Sequence, residues 1–177
     1  MKFRILGSMA ALLLAVSAPA LAEKSAGDMV DDSAIVTEVK AGLLGEKGVP
    51  SNDVNVEVYK GVVLLSGFVT EQSQKDASEK VAKGVSGVKS VRNLIAVHPK
   101  TSMGTKLDDT ALVSKVKAAL VDAKDVSSGQ INIEARGGIV QLAGFVTSEG
   151  MRDRAMTAAK GVKGVKRVDD AMFVKPK

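Results

Sequence analysis

Apolar and polar positions follow one another along this chain in a series of patterns that is written twice. The first pattern places Ile35, Val36, Val39, Leu43 and Leu44 at helical spacing, with Asp32 or Ser33 positioned to cap the helix start. Val54-Asn55-Val56-Glu57-Val58 then alternates strictly, as a half-buried strand does. A Lys60-Gly61 turn leads into a second strand, Val62 to Val69, and that spacing predicts a β-hairpin. Thr70 is placed to cap a second helix, which stops at Gly84 as its C′ residue. A last strand runs from near Val88 to Val97.

One constant offset lays the second half of the chain on the first without a gap. Asp31-Asp32-Ser33-Ala34-Ile35-Val36 falls on Asp108-Asp109-Thr110-Ala111-Leu112-Val113. Ser66-Gly67-Phe68-Val69-Thr70 falls on Ala143-Gly144-Phe145-Val146-Thr147, and Gly84-Val85-Ser86-Gly87 falls on Gly161-Val162-Lys163-Gly164. The prediction is therefore an α+β protein of two small tandem α-β-β-α-β domains, each with helices packed on one face of a three-stranded mixed sheet. Their bounds are read as 31–98 and 107–175, joined by a polar Pro- and Gly-containing linker at 99–106. In each copy the core is aliphatic, with Val56, Val58, Val63, Leu65 and Val69 against Val39, Leu43, Ala77 and Val81. Gly67 and Gly144 are read as places where a helix approaches a strand closely. Gly87 and Gly164 are read as part of a helix end and turn, since they do not open a helix as a phosphate cradle does.

The first 22 residues are read as an export signal. Lys2 and Arg4 precede an apolar run from Ile5 to Val16, and Ala20 and Ala22 flank a cleavage position. A short tail, 23–30, follows, and the expected address is the periplasm. Composition then narrows the chemistry. The chain has no Cys, no Trp, one His and one Tyr. Disulfides, thiolate sites and histidine relays are excluded, and stacking platforms for nucleic acid are scarce. No enzyme activity, no cofactor, no metal site and no nucleic-acid partner are expected, and the chain is read as a monomer. His98 is read as a surface residue, the Asp pairs at 31–32 and 108–109 as favourable charge at helix starts, and the dispersed methionines as gap fillers.

Two further features carry the resemblance. Each hairpin ends in Gly-Phe-Val (67–69 and 144–146), and each last strand is preceded by Gly-Val-x-x-Val (87–91 and 164–168). With the duplicated α-β-β-α-β order, this resembles the BON-domain family. The resemblance implies a binding module that attaches to phospholipid surfaces or supports envelope proteins, with a link to osmotic or related stress, and it supplies no catalytic residue. Asn93 of the first copy is Asp170 in the second, which puts in doubt any role of that amide there.

Charge and apolar surface suggest where binding occurs. The net charge of +5 sits in the leader, tails and linker more than in the copies. Local order is more informative: Arg152, Arg154, Lys160, Lys163, Lys166 and Arg167 make the second helix and turn of the second copy basic. An anionic phospholipid surface, a solvated helix face and an acidic protein partner are the three readings of that run. On the sheet face away from the helices the pattern places Val62, Leu64 and Phe68 in one copy and Ile139 and Phe145 in the other. That face suits docking of the two copies, an unfolded client, or cover by the tail or linker.

Overall fold

The computed structural model describes residues 26–175, with side chains from residue 32 onward. The expected signal segment lies outside the described residues. The first copy comprises α1 (Ala26–Gly45), β1 (Val54–Tyr59), β2 (Val62–Val69), α2 (Gln72–Lys83), β3 (Ser90–Asn93) and β4 (Ala96–Val97). The second comprises α3 (Met103–Asp122), β5 (Asn132–Arg136), β6 (Ile139–Val146), α4 (Glu149–Lys160) and β7 (Arg167–Val174). In each sheet the long apolar strand is central. β2 runs antiparallel to β1 and parallel to β3 and β4; β6 runs antiparallel to β5 and parallel to β7. The α-β-β-α-β order and the mixed sheet are as the pattern predicts.

Helix and strand periodicities bury the same kind of residue in both copies. Ile35, Val39 and Leu43 of α1 pack on Val56, Val63, Leu65 and Val69. Leu112, Val116 and Leu120 of α3 pack on Ile133, Val140, Leu142 and Val146. Leu44, read with the apolar helix face, instead faces outward at 76% exposure, as does the corresponding Val121 at 61%.

Both helix starts differ from the expectation. α1 already runs from Ala26, the first described residue, and α3 begins at Met103, so the second half of the expected linker is the first turn of a helix. Ser102 caps α3, its Oγ accepting from the Thr105 N–H at 3.3 Å. The aspartates read as helix-start charges do something else. Asp32 accepts the N–H groups of Lys60 and Gly61, both at 2.7 Å. Asp109, buried, accepts those of Gly137 and Gly138 at 2.8 and 3.0 Å. Each carboxylate thus ties the first helix to the tip of its own hairpin. Both turn residues there have positive φ, 51° and 78° in one copy and 64° and 84° in the other, the geometry of the tight hairpin turn. Glu71 and Ser148, one residue past the expected threonines, cap the second helices.

Gly67 and Gly144 correct a further expectation. A Cβ at either position collides with a backbone carbonyl, that of Asp53 or of Gln130, in the single 3-10 turn before the first strand and not in one of the long helices. Both glycines also have positive φ, 110° and 140°. Room for the turn that precedes the first strand, not helix packing, excludes a side chain here.

The two sheets face each other through the surfaces their helices leave bare. Leu64, Phe68 and Phe145 are buried there, at 1%, 3% and 6% exposure. Tyr59 meets Phe145 with ring centroids 5.6 Å apart, and Phe145 meets Phe173 at 5.9 Å. Arg136 lies over Phe68 at 5.4 Å and Arg92 over Phe173 at 5.2 Å, each reaching from one copy to the other. Arg136 also bonds Asp53 and the His98 carbonyl, and Asn55 donates to Glu134 at 3.1 Å. His98, expected on the surface, stands edge-on to Phe68. The result is four layers, with helices outside and two sheets inside.

Candidate functional site

The apolar residues expected to bind from the open sheet face do not form an exposed patch. Leu64, Phe68 and Phe145 are covered by the opposite copy, and Val62 and Ile139 are half-buried. A sheet face bearing two phenylalanines and a leucine is covered because each such side chain gains roughly 1.5–3 kcal/mol on burial.

The six basic residues of the second copy do not make one uniform face either. Arg152 is held by Asp170 at 2.6 Å and Glu149 at 3.0 Å, and these carboxylates raise its pKa above the usual guanidinium value. Arg167 pairs with Asp169 at 2.7 Å, and its pKa is raised for the same reason. Arg154 reaches the other way, to the Asp125 carbonyl at 3.4 Å. Lys160 is exposed on the last turn of α4.

Lys163 and Lys166 turn toward α3. With Asp108, Lys115, Gly138 and Gly164 they line a cleft of about 570 Å³. Lys166 packs its stem on Gly138 and donates to the Gly137 carbonyl at 3.0 Å. Gly164, at φ 107°, lets the turn close onto the Leu112 side chain, and Gly87 does the same against Ile35 at φ 84°. The first copy repeats this cleft at about 420 Å³, but Glu38 stands where Lys115 does and Ser86 where Lys163 does.

Beside the cleft, α3 carries a stripe that the pattern alone did not reveal. Met103, Leu107 and Val121 are exposed at 78%, 72% and 61%. They lie along one line because 103 and 121 are five turns apart at about 3.6 residues per turn. Ser114 and Ala118, also exposed, continue the line between them. Leu112, Val116 and Leu120 occupy the opposite, buried side. Lys106 and Lys117 border the stripe on one side, and on the other Lys115 stands between Asp108 and Asp122 before the cleft lysines. The signal was present in the sequence as apolar residues left over from the core rhythm. With Met103 read as linker, the stripe loses its first member.

Among the described residues no helix is long and apolar enough to cross a membrane, so the stripe is a surface feature. No three His, Asp or Glu side chains among the described residues come together as a metal site.

Comparison with known proteins adds the lineage. The chain is 41% identical over 151 residues to the osmotically-inducible protein Y of Escherichia coli, covering 84% of this chain and 75% of that one. It is 31% identical over 146 residues to the outer membrane lipoprotein DolP of Haemophilus influenzae, covering 82% of this chain and 75% of that one. It is 28% identical, over the same share of each chain, to a 21 kDa hemolysin of Actinobacillus pleuropneumoniae. The BON domain model matches residues 31–99 and again 108–176, so that a duplicated fold, the glycines that close its turns and its relatives agree: the chain belongs to the BON domain family.

Proposed function

We propose that this protein works in the periplasm, without catalysis, by attaching to the anionic phospholipid surface of the envelope through α3. The exposed stripe of Met103, Leu107 and Val121, with Lys106 and Lys117 along one border, carries this reading. A helix with an apolar face and basic borders lies in the plane of a membrane interface, its apolar side chains entering the boundary of headgroups and acyl chains. Each nearby Lys contributes about 1 kcal/mol on an anionic surface. The names of two relatives support the setting: one is osmotically inducible, the other an outer membrane lipoprotein. Support of the envelope under osmotic or related stress belongs to the same reading. Holding of unfolded exported chains is the weaker alternative, because the apolar sheet faces it needs are covered in the docked arrangement.

Vesicle co-sedimentation tests the proposal. On vesicles of phosphatidylglycerol and phosphatidylcholine, a Met103→Ser, Leu107→Ser, Val121→Ser chain should bind at least tenfold more weakly than the parent. Replacing Arg154 and Lys160 by Gln should change binding less than threefold, because neither borders the stripe. High salt should weaken the parent as it screens the lysines. Undiminished sedimentation of the triple variant would remove α3 from the function.

A further inference from the structure

The contact between the two copies is keyed by one side chain that only the second copy has. Gln141 stands on β6 where the first copy has Leu64 on β2. It is 2% exposed and reaches across to the first copy. Its Oε1 accepts the Gly67 N–H at 2.5 Å and its Nε2 donates to the Leu94 carbonyl at 2.8 Å.

Both partners are backbone groups set free by local irregularities. Gly67, at φ 110°, turns its N–H toward the opposite copy. Leu94 lies between β3 and β4, where the last strand of the first copy is interrupted. The matching strand of the second copy, β7, runs unbroken from Arg167 to Val174. The broken strand therefore presents an acceptor, the glycine a donor, and a primary amide satisfies both at once. A leucine at 141 leaves the buried Gly67 N–H unpaired and takes the partner from the part-buried Leu94 carbonyl.

We propose that Gln141 is the specificity residue of a heterotypic domain contact, reading the paired N–H and C=O of the first copy as a socket for a side-chain amide. The key sets whether the tandem is closed, and so whether Leu64, Phe68 and Phe145 meet solvent. This inference does not rest on the phospholipid reading: none of Gln141, Gly67 and Leu94 belongs to α3.

Full-length variants test it, read by small-angle scattering and by the emission of Tyr59, the single tyrosine in a chain without tryptophan. Gln141→Leu should expand the molecule and change the Tyr59 signal, with the open population rising about thirtyfold for two lost hydrogen bonds and one buried donor left unpaired. Leu64 shows that the strand accepts leucine at this place. Gln141→Glu gives the sharper result. Its carboxylate repels the Leu94 carbonyl at neutral pH, so the tandem opens. The protonated acid restores one donor and one acceptor, so acidification closes it again.

Other ionisable groups at the contact are Asp53, Glu57, Glu134, Arg92, Arg136, His98 and Lys175. The parent protein followed over the same pH range accounts for them. Closed variants at all pH values overturn the proposal, as does opening of Gln141→Glu that acid does not reverse. Loss of the second domain's circular dichroism in both variants also overturns it, since Gln141 would then be a core residue and not a key.

Discussion

The two copies share one scaffold and differ where it meets the outside. Identical residues hold the turns: Asp32 and Asp109 on the hairpin tips, Gly67 and Gly144 beside the preceding turn, Lys89 and Lys166 on the hairpin glycines. Three of their differences bear on surfaces and contacts. Glu38 and Ser86 become Lys115 and Lys163 at the cleft beside the first helix. Leu64 becomes Gln141 at the contact between sheets. Asn93, which bonds the Lys75 carbonyl and Glu79, becomes Asp170, which bonds Arg152. Duplication thus kept the groups that close backbone turns and released the surfaces, which gave one copy a basic helix border and the contact a direction.

That comparison breaks most sharply at the glycines. Gly67→Ala and Gly144→Ala should each destabilise its own domain by about 3 kcal/mol or more, since positive φ and a carbonyl clash act together. Denaturant unfolding of the full chain reads both values. A loss in only one copy would show that the shared scaffold is not equally constrained.

A smaller effect is expected at the helix-to-hairpin ties. Asp32→Ala and Asp109→Ala each remove an acceptor from two N–H groups, at about 1.5–3 kcal/mol for a bond to a charged group. The Asp109 change should be the larger, because that carboxylate is 6% exposed while Asp32 is only half-buried. Thermal midpoints of the two single variants measure the order, and an inverted order would contradict the role of burial.

Much of the fold was legible because its periods are strong. The strict alternation of Val54 to Val58 and the turn at Lys60-Gly61 leave one hairpin geometry, and duplication repeats the evidence. The helix starts were not legible, since Met103 stands among small and polar residues and Asp32, which resembles a cap, is used by a turn far away in sequence. The site was less legible still. A run of basic residues says nothing of which acids lie across a strand, and Asp169 and Asp170 take Arg167 and Arg152. The glutamine key was hidden for the same reason: its partners are two backbone groups that no side-chain pattern announces.

The finest distinction between the copies lies in two corresponding glutamates, Glu57 and Glu134, on the facing strands. Glu134 accepts from Asn55, whereas burial pushes the Glu57 carboxyl up from its ordinary value of 4.5, with the Phe145 backbone bond and Lys175 opposing. A carboxyl raised by folding is ionised first in the unfolded chain. Its favourable share of stability is therefore complete below about pH 4.5 and is lost as pH rises through the raised value. At neutral pH the ionised group costs the docked state. Glu57→Gln keeps an acceptor for the Phe145 N–H and removes that charge, so it should stabilise the closed tandem by up to about 1 kcal/mol at pH 7 and leave it unchanged at pH 4. An effect of Glu57→Gln that is the same at pH 4 and pH 7 would mean that burial of this charge does not oppose docking, and that the asymmetry of the contact lies in its hydrogen bonds alone.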